Sequence, residues 1–240
     1  DAKIVYQRVL NTIKLYAKQR RLINLITEQV YEKEKNNKMM IDILSQIVEF
    51  RNNESGMHVR NISTLTGMLL EKIVQKTDKY YLSWSERFYI TNGSALHDIG
   101  KIGIPKEILN KPGKLTKEEY EIIKEHTVIG EKMLKNLELY QDEPLIKTAC
   151  EIVRWHHERY DGNGYPDGLK GDEIPISAQI VSIADVYDEL VSERVYKEAF
   201  SHEKAMEMIL NGECGAFNPL LLECLVEIQD RIKNELDGSG

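Results

Sequence analysis

The chain is short of cysteine, of net positive charge, of long apolar runs and of alternating apolar and polar segments, and each shortage removes a class of protein. Cys150, Cys214 and Cys224 make an odd count with no close pairing and no ligand-like spacing. They read as reduced thiols with packing roles in a cytoplasmic protein, not as a disulfide framework or a thiolate metal site. Lys and Arg number 32 against 39 Asp and Glu, a formal charge of −7. A general nucleic-acid surface needs a basic stripe that releases counterions from phosphates, so no nucleic-acid polymer is expected as a partner. No apolar stretch approaches the roughly 20 residues that span a bilayer and no signal-peptide pattern opens the chain, so no membrane partner is expected either. Gly and Pro are missing before Gly56, and the turn-rich stretches 100–113 and 161–175 are not flanked by strand-like alternation. What remains is an all-α fold. At 240 residues and 42% hydrophobic content, one main domain with an appendage is expected.

The appendage is at the start. Val9, Ile13, Tyr16, Arg20, Ile23, Thr27 and Val30 follow one another at spacings of four and three, the pattern of a long helix with a coiled-coil-like seam. The seam ends in the polar patch 32–38, so residues 1–38 read as a helical linker and 39–240 as the main domain. Such a helix cannot bury its stripe alone. A homodimer through paired N-terminal helices is expected, with packing back onto the main domain as the alternative. Beyond it, apolar residues recur at helical spacing, as in Ile62, Leu65, Leu69, Leu70 and Ile73. Ser83 to Glu86 and Thr116 to Glu119 have the form of capping boxes, the second preceding the segment that carries His126.

The chemistry lies in what is present. His156 and His157 stand side by side before the turn residues 161–166. Adjacent helical residues point about 100° apart, so such a pair more naturally serves two neighbouring cations than one. The rest of the chain supplies matching donors: Glu54 and His58 four apart, His97 beside Asp98 where an apolar helix ends, a single His126, and Asp185 inside an apolar run. Singly, His126 could be a satisfied, partly buried histidine and Asp185 a helix cap. Jointly they point to metal, because these groups buried unpaired would be costly and cations would satisfy them together. His202, in a polar run, reads as a surface residue. Arg159 is open between loop support and substrate contact. Trp155, Tyr160 and Tyr165 read as core or loop anchors, with base stacking as the alternative, and Arg194 and Lys197 could simply pair with nearby glutamates.

The run from His97 to Pro105, then Lys111 to Thr116, His126, His156 to Pro166, Gly168 to Gly171, Ala184 to Asp188, Arg194 to Lys197 and Phe217 to Pro219 resembles the HD-GYP family of the HD phosphohydrolase superfamily, over about Glu54 to Glu235. The resemblance implies an HD-type helical bundle with a C-terminal GYP extension, carrying two or three divalent metal ions and hydrolysing cyclic di-GMP to pGpG, which a second hydrolysis could take to GMP. By position, the implied metal ligands are Glu54, His58, His97, Asp98, His126, His156, His157 and Asp185, with Glu54 favouring a third ion. Asp98 and Lys101 would be catalytic, and Lys101, Arg194, Lys197 and Tyr165 would contact substrate. Imidazole and carboxylate donors without thiolate suit iron or manganese, and adjacent cations would lower the pKa of a water poised for in-line attack. Tyr187, Glu189, Val191, Val195 and Asn218 depart from the family pattern without removing a ligand. Two alternatives stand beside this one: a non-catalytic signalling module of the same fold, and an HD hydrolase of another cyclic dinucleotide or nucleotide. More loosely, the opening residues resemble the stretch that follows a receiver domain in two-component response regulators, which implies such a domain upstream.

Overall fold

The computed structural model describes residues 2–52, 57–193 and 199–237. Within these residues the regular structure is helical: α1 (Ala2–Arg51), α2 (Met57–Lys76), α3 (Trp84–Ser94), α4 (Lys106–Leu109), α5 (Lys117–Lys124), α6 (His126–Lys135), α7 (Pro144–Trp155), α8 (Ile176–Val191), α9 (His202–Leu210) and α10 (Pro219–Asp237), with short 3-10 turns between some of them. No helix among the described residues is long and apolar enough to cross a membrane. The chain divides into two units, 1–41 and 42–240. The first is uninterrupted helix, as the lack of Gly and Pro predicts, and its apolar seam is exposed, with Val9 at 53%, Ile13 at 60%, Ile23 at 55% and Val30 at 50%.

The second unit is organised around α8. Thirteen of its residues are buried, and a helix that is apolar nearly all round belongs inside a bundle. Ile180, Val181, Ile183 and Ala184 pack with Ile62, Leu65, Leu69 and Ile73 of α2, Ile209 of α9, and Leu221 and Leu225 of α10. Truncating one of these fully buried leucines or isoleucines to alanine typically costs about 2–5 kcal/mol. Asp185 and Asp188, three apart on α8, share a face and are buried at 3% and 0%. Two carboxylates there require compensating partners.

Both capping boxes form: Ser83 Oγ accepts from Glu86 N while Glu86 accepts from Ser83 N, and Thr116 with Glu119 repeats the exchange. The second helix does not run on to His126, however. It stops at Lys124, and α6 begins at His126. The reason is local competition for carbonyls: His126 Nδ1 lies 2.7 Å from Ile123 O, and Thr127 Oγ1 donates to Lys124 O at 2.9 Å. That break turns the His126 ring inward.

Candidate metal centre

Five histidines and two aspartates from five segments meet here, in two adjoining sets: Asp98, His126, His156 and His157, and His58, His97 and Asp185. His58 comes from the first turn of α2, His97 and Asp98 from the turn after α3, His126 from the start of α6, His156 and His157 from just past α7, and Asp185 from the middle of α8. Glu54, Arg194 and Lys197 lie outside the described residues. The adjacent histidines both belong to the first set, where α7 ends at Trp155, with ring centroids 4.0 Å apart.

Close backbone approach brings the segments together. A Cβ on Gly100 would stand 1.8 Å from His126 O, and one on Gly130 would stand 2.5 Å from Val153 Cγ1 and 3.0 Å from Gly100 N. Only glycines allow the 3-10 turn after Asp98 to lie this tightly on α6.

The rings are held in one tautomer. Nδ1 of His97 is 2.9 Å from Ser94 O, that of His126 is 2.7 Å from Ile123 O, and that of His156 is 3.0 Å from Ile152 O. A carbonyl only accepts, so each Nδ1 donates and each neutral ring turns an unprotonated Nε2 inward. His58 Nδ1 instead meets Asp188 Oδ2 at 2.6 Å, and Asp188 is fixed by Asn61 Nδ2 at 2.7 Å and Ser192 Oγ at 3.2 Å. Lone pairs consequently face lone pairs. His126 Nε2 and His156 Nε2 are 3.5 Å apart, and Asp98 Oδ1 lies 3.3 Å from the first and 4.0 Å from the second. The other oxygen, Asp98 Oδ2, lies 3.2 Å from His97 Nε2. Asp185 Oδ1 is 3.7 Å from Nε2 of both His58 and His97.

These positions suit a cation. At metal–ligand distances of about 2.0–2.2 Å, two ligands of one ion stand roughly 3.0–3.5 Å apart. His58 Nε2 and Asp98 Oδ1 are buried without a hydrogen-bond partner among the described residues, each at a cost of about 1–3 kcal/mol if nothing positive satisfies it. The donor set therefore fits divalent metal.

Burial, reinforced by charge on neighbouring rings, holds His156 and His157 well below the usual imidazole range and lowers His126. Burial would lower His97 too, but the Asp98 and Asp185 charges outweigh it and push that ring up to about 9. Asp98 is held well down in spite of burial by Lys101 and His97, while burial and Glu189 raise Asp185 to about 6. In metal-free protein His97 thus adds stability that is full below pH 6.5 and is lost as pH rises through about 9. A cation must displace its proton. Apparent Mn²⁺ affinity is expected to climb about tenfold per unit between roughly pH 7 and 9, with proton release seen calorimetrically in buffers of different ionisation enthalpy. Affinity independent of pH there would contradict the assignment.

Two supporting carboxylates escaped the sequence reading. Asp188 carried a signal, since it follows Asp185 by three in an apolar run; its exchange for Asn is expected to weaken metal binding about 10–100-fold with the fold intact, read by calorimetry. Glu158 lies inside the resembling run from His156 to Pro166, but its residue type alone reads as solvated; it is 2% exposed and accepts from the N–H groups of Asp167, Gly168 and Leu169 at 2.7, 3.0 and 3.0 Å. It pins the loop on which Tyr165 lies over His157. Arg159 is a loop support, donating to Ser182 Oγ at 2.7 Å and lying over Phe217, and Trp155 anchors the loop through Asp167. His202, expected at the surface, is half-buried, its Nδ1 sharing a hydrogen bond with the Tyr187 hydroxyl at 2.7 Å.

Imidazole and carboxylate donors converging from five segments of an all-α bundle form clusters able to hold metal ions without thiolate. A family model described as HD domain matches residues 38–215. The chain belongs to that family, and its His-Asp and Gly-Tyr-Pro motifs make it of the HD-GYP type. A Vibrio cholerae protein named as a probable cyclic di-GMP phosphodiesterase is 42% identical over 79% of this chain and 44% of its own length. A 3′3′-cGAMP-specific phosphodiesterase 2 of the same organism is 38% identical over 80% of this chain and 35% of its own length. The chain thus spans less than half of these curated relatives. In fold it is similar to Bd1817, an HDG"Y"P protein from Bdellovibrio bacteriovorus, at TM-score 0.55 and 20% identity, covering 82% of this chain and 64% of that one.

Proposed function

We propose that the chain is the catalytic part of a metal-dependent phosphodiesterase that hydrolyses cyclic di-GMP to linear pGpG, which a second hydrolysis could take to GMP. The ligands would be His58, His97, Asp98, His126, His156, His157 and Asp185, joined by Glu54, holding two or three ions of iron or manganese. The observation that supports this reading is Asp98, whose two oxygens face different histidines, one towards His97 and the other towards His126 and His156, so that it could contribute to both donor sets. Bound cations would neutralise phosphate charge and make an attacking water acidic enough to lose its proton near neutral pH. The protein's own groups do the remaining work. Carbonyl-held Nδ1 protons keep Nε2 of His97, His126 and His156 aimed inward without rearrangement. Lys101, 2.6 Å from Asp98, stands where its ammonium can turn from that carboxylate to a phosphoryl oxygen and offset the charge that develops there. Arg194 and Lys197 would hold the second phosphate, and Tyr165 would border the pocket.

The 42% identity to a probable cyclic di-GMP phosphodiesterase supports this substrate, and the 38% identity to a cGAMP-specific enzyme favours 3′3′-cGAMP as the second reading. Manganese- or iron-loaded protein, incubated anaerobically with each dinucleotide, separates them: pGpG formation is expected, turnover of cGAMP alone would establish the second reading, and no turnover of either would contradict both.

We also propose that residues 1–38 pair with a second copy, on the exposed seam of Val9, Ile13, Ile23 and Val30, and follow a receiver domain in a longer cytoplasmic chain. Sedimentation of the 240-residue chain as a monomer would contradict the pairing.

A further inference from the structure

A chain of rings leads outward from the donor set. Tyr165 lies on His157 with centroids 4.7 Å apart and 28° between the planes. Tyr120 of α5 meets Tyr165 edge to face, at 6.5 Å and 80°. Lys124, one turn further along α5, holds its ammonium 5.7 Å from the centre of Tyr120 and 5.6 Å from that of Tyr165. Tyr120 is 48% exposed. The ammonium also pairs with Glu121 at 2.7 Å, but that carboxylate is 67% exposed and such a pair contributes little, so the lysine is easily redirected.

We infer that Tyr120, Lys124 and Tyr165 form a purine subsite that takes one guanine of the substrate, an inference that rests on the cyclic dinucleotide reading above. A dinucleotide whose phosphate reaches the donor set must place a base within one nucleoside of it, and the ring series begins in contact with His157, a member of that set. A half-exposed tyrosine face is a stacking platform that any base can use. The ammonium supplies the selection. Guanine presents O6 and N7 acceptors to a lysine, whereas adenine puts an amino donor where O6 would be. Sequence reading placed Tyr165 at the pocket and passed over Tyr120 and Lys124, because a Tyr and a Lys four apart on an amphipathic helix look like ordinary surface residues.

The alternative role is support of the Tyr165 loop, and kinetics tell the two apart. Manganese-loaded protein is assayed on cyclic di-GMP and on bis(p-nitrophenyl) phosphate, a diester with no base. Tyr120→Ala is expected to lower the ratio of the two kcat/KM values about tenfold, through KM for the dinucleotide more than through kcat, and Tyr120→Phe to keep that ratio within about twofold because the ring face remains. Lys124→Gln is expected to reduce the preference for cyclic di-GMP over cyclic di-AMP about fivefold. Equal loss on both diesters in Tyr120→Ala, with a lower Tm, would overturn the subsite in favour of loop support. Wild-type protein that cleaves the aryl diester and leaves cyclic di-GMP intact would remove the substrate reading itself, a result recognised before any variant is made.

Discussion

Asp98→Ala is expected to lower hydrolysis of cyclic di-GMP on the order of 10³-fold while the bundle stays folded. Among the described residues the carboxylate is the only group whose two oxygens reach histidines of both sets, 3.2 Å from His97 and 3.3 Å from His126. Removing it separates the sets, and the electrostatic assistance that adjacent cations give to phosphoryl transfer is worth several kcal/mol. Retained folding follows from where Asp98 sits. It starts a 3-10 turn without capping it through its side chain, and the core of α2, α8, α9 and α10 does not include it. Steady-state kinetics with a circular-dichroism melt reads both halves. Loss of activity accompanied by loss of the folded state would assign Asp98 a structural role, and undiminished turnover would refute its place in the centre.

Gly100→Ala should fail by a different route. Its methyl would stand 1.8 Å from His126 O and 2.5 Å from Gly130 N, both backbone atoms that cannot swing aside. The turn after Asp98 must then lift from α6, taking Asp98 away from His126. Overpacking of this severity costs about 3 kcal/mol, which for a domain of this size lowers Tm by about 6–12 °C. Metal content should fall with it. Gly67 in α2 is the contrast, since nothing lies within 4 Å of a Cβ placed there. Gly67→Ala is expected to stabilise by about 0.5–1 kcal/mol through helix propensity alone. Equal melting temperatures for the two variants would show that the close approach is unimportant.

The donor types were legible in the sequence because five of six histidines sit beside apolar helical residues, where an unpaired imidazole has no cheap state. The all-α class was legible because apolar residues recur at helical spacing and the two turn-rich stretches lack flanking strand-like alternation, and both capping boxes announced their helices. Geometry at the breaks was not. The end of α5 at Lys124 depends on His126 and Thr127 taking carbonyls of the preceding turn, a competition that helical periodicity does not register. The grouping of His156 with His157 depends on α7 ending one residue before them. The tautomers depend on carbonyls of Ser94, Ile123 and Ile152, which belong to the backbone and leave no mark in residue types. Nothing in the sequence relates Gly100 to Gly130, and only their apposition shows why neither can carry a side chain. Asp188 was visible as part of a motif, but its service to His58 needed two helices to be seen side by side.

Metal content of protein purified without oxygen tests the central claim most directly. Two or three equivalents of iron or manganese per chain are expected in the wild type, falling below one in Asp98→Ala. Less than one equivalent in the wild type, even after incubation with either metal, would contradict that claim.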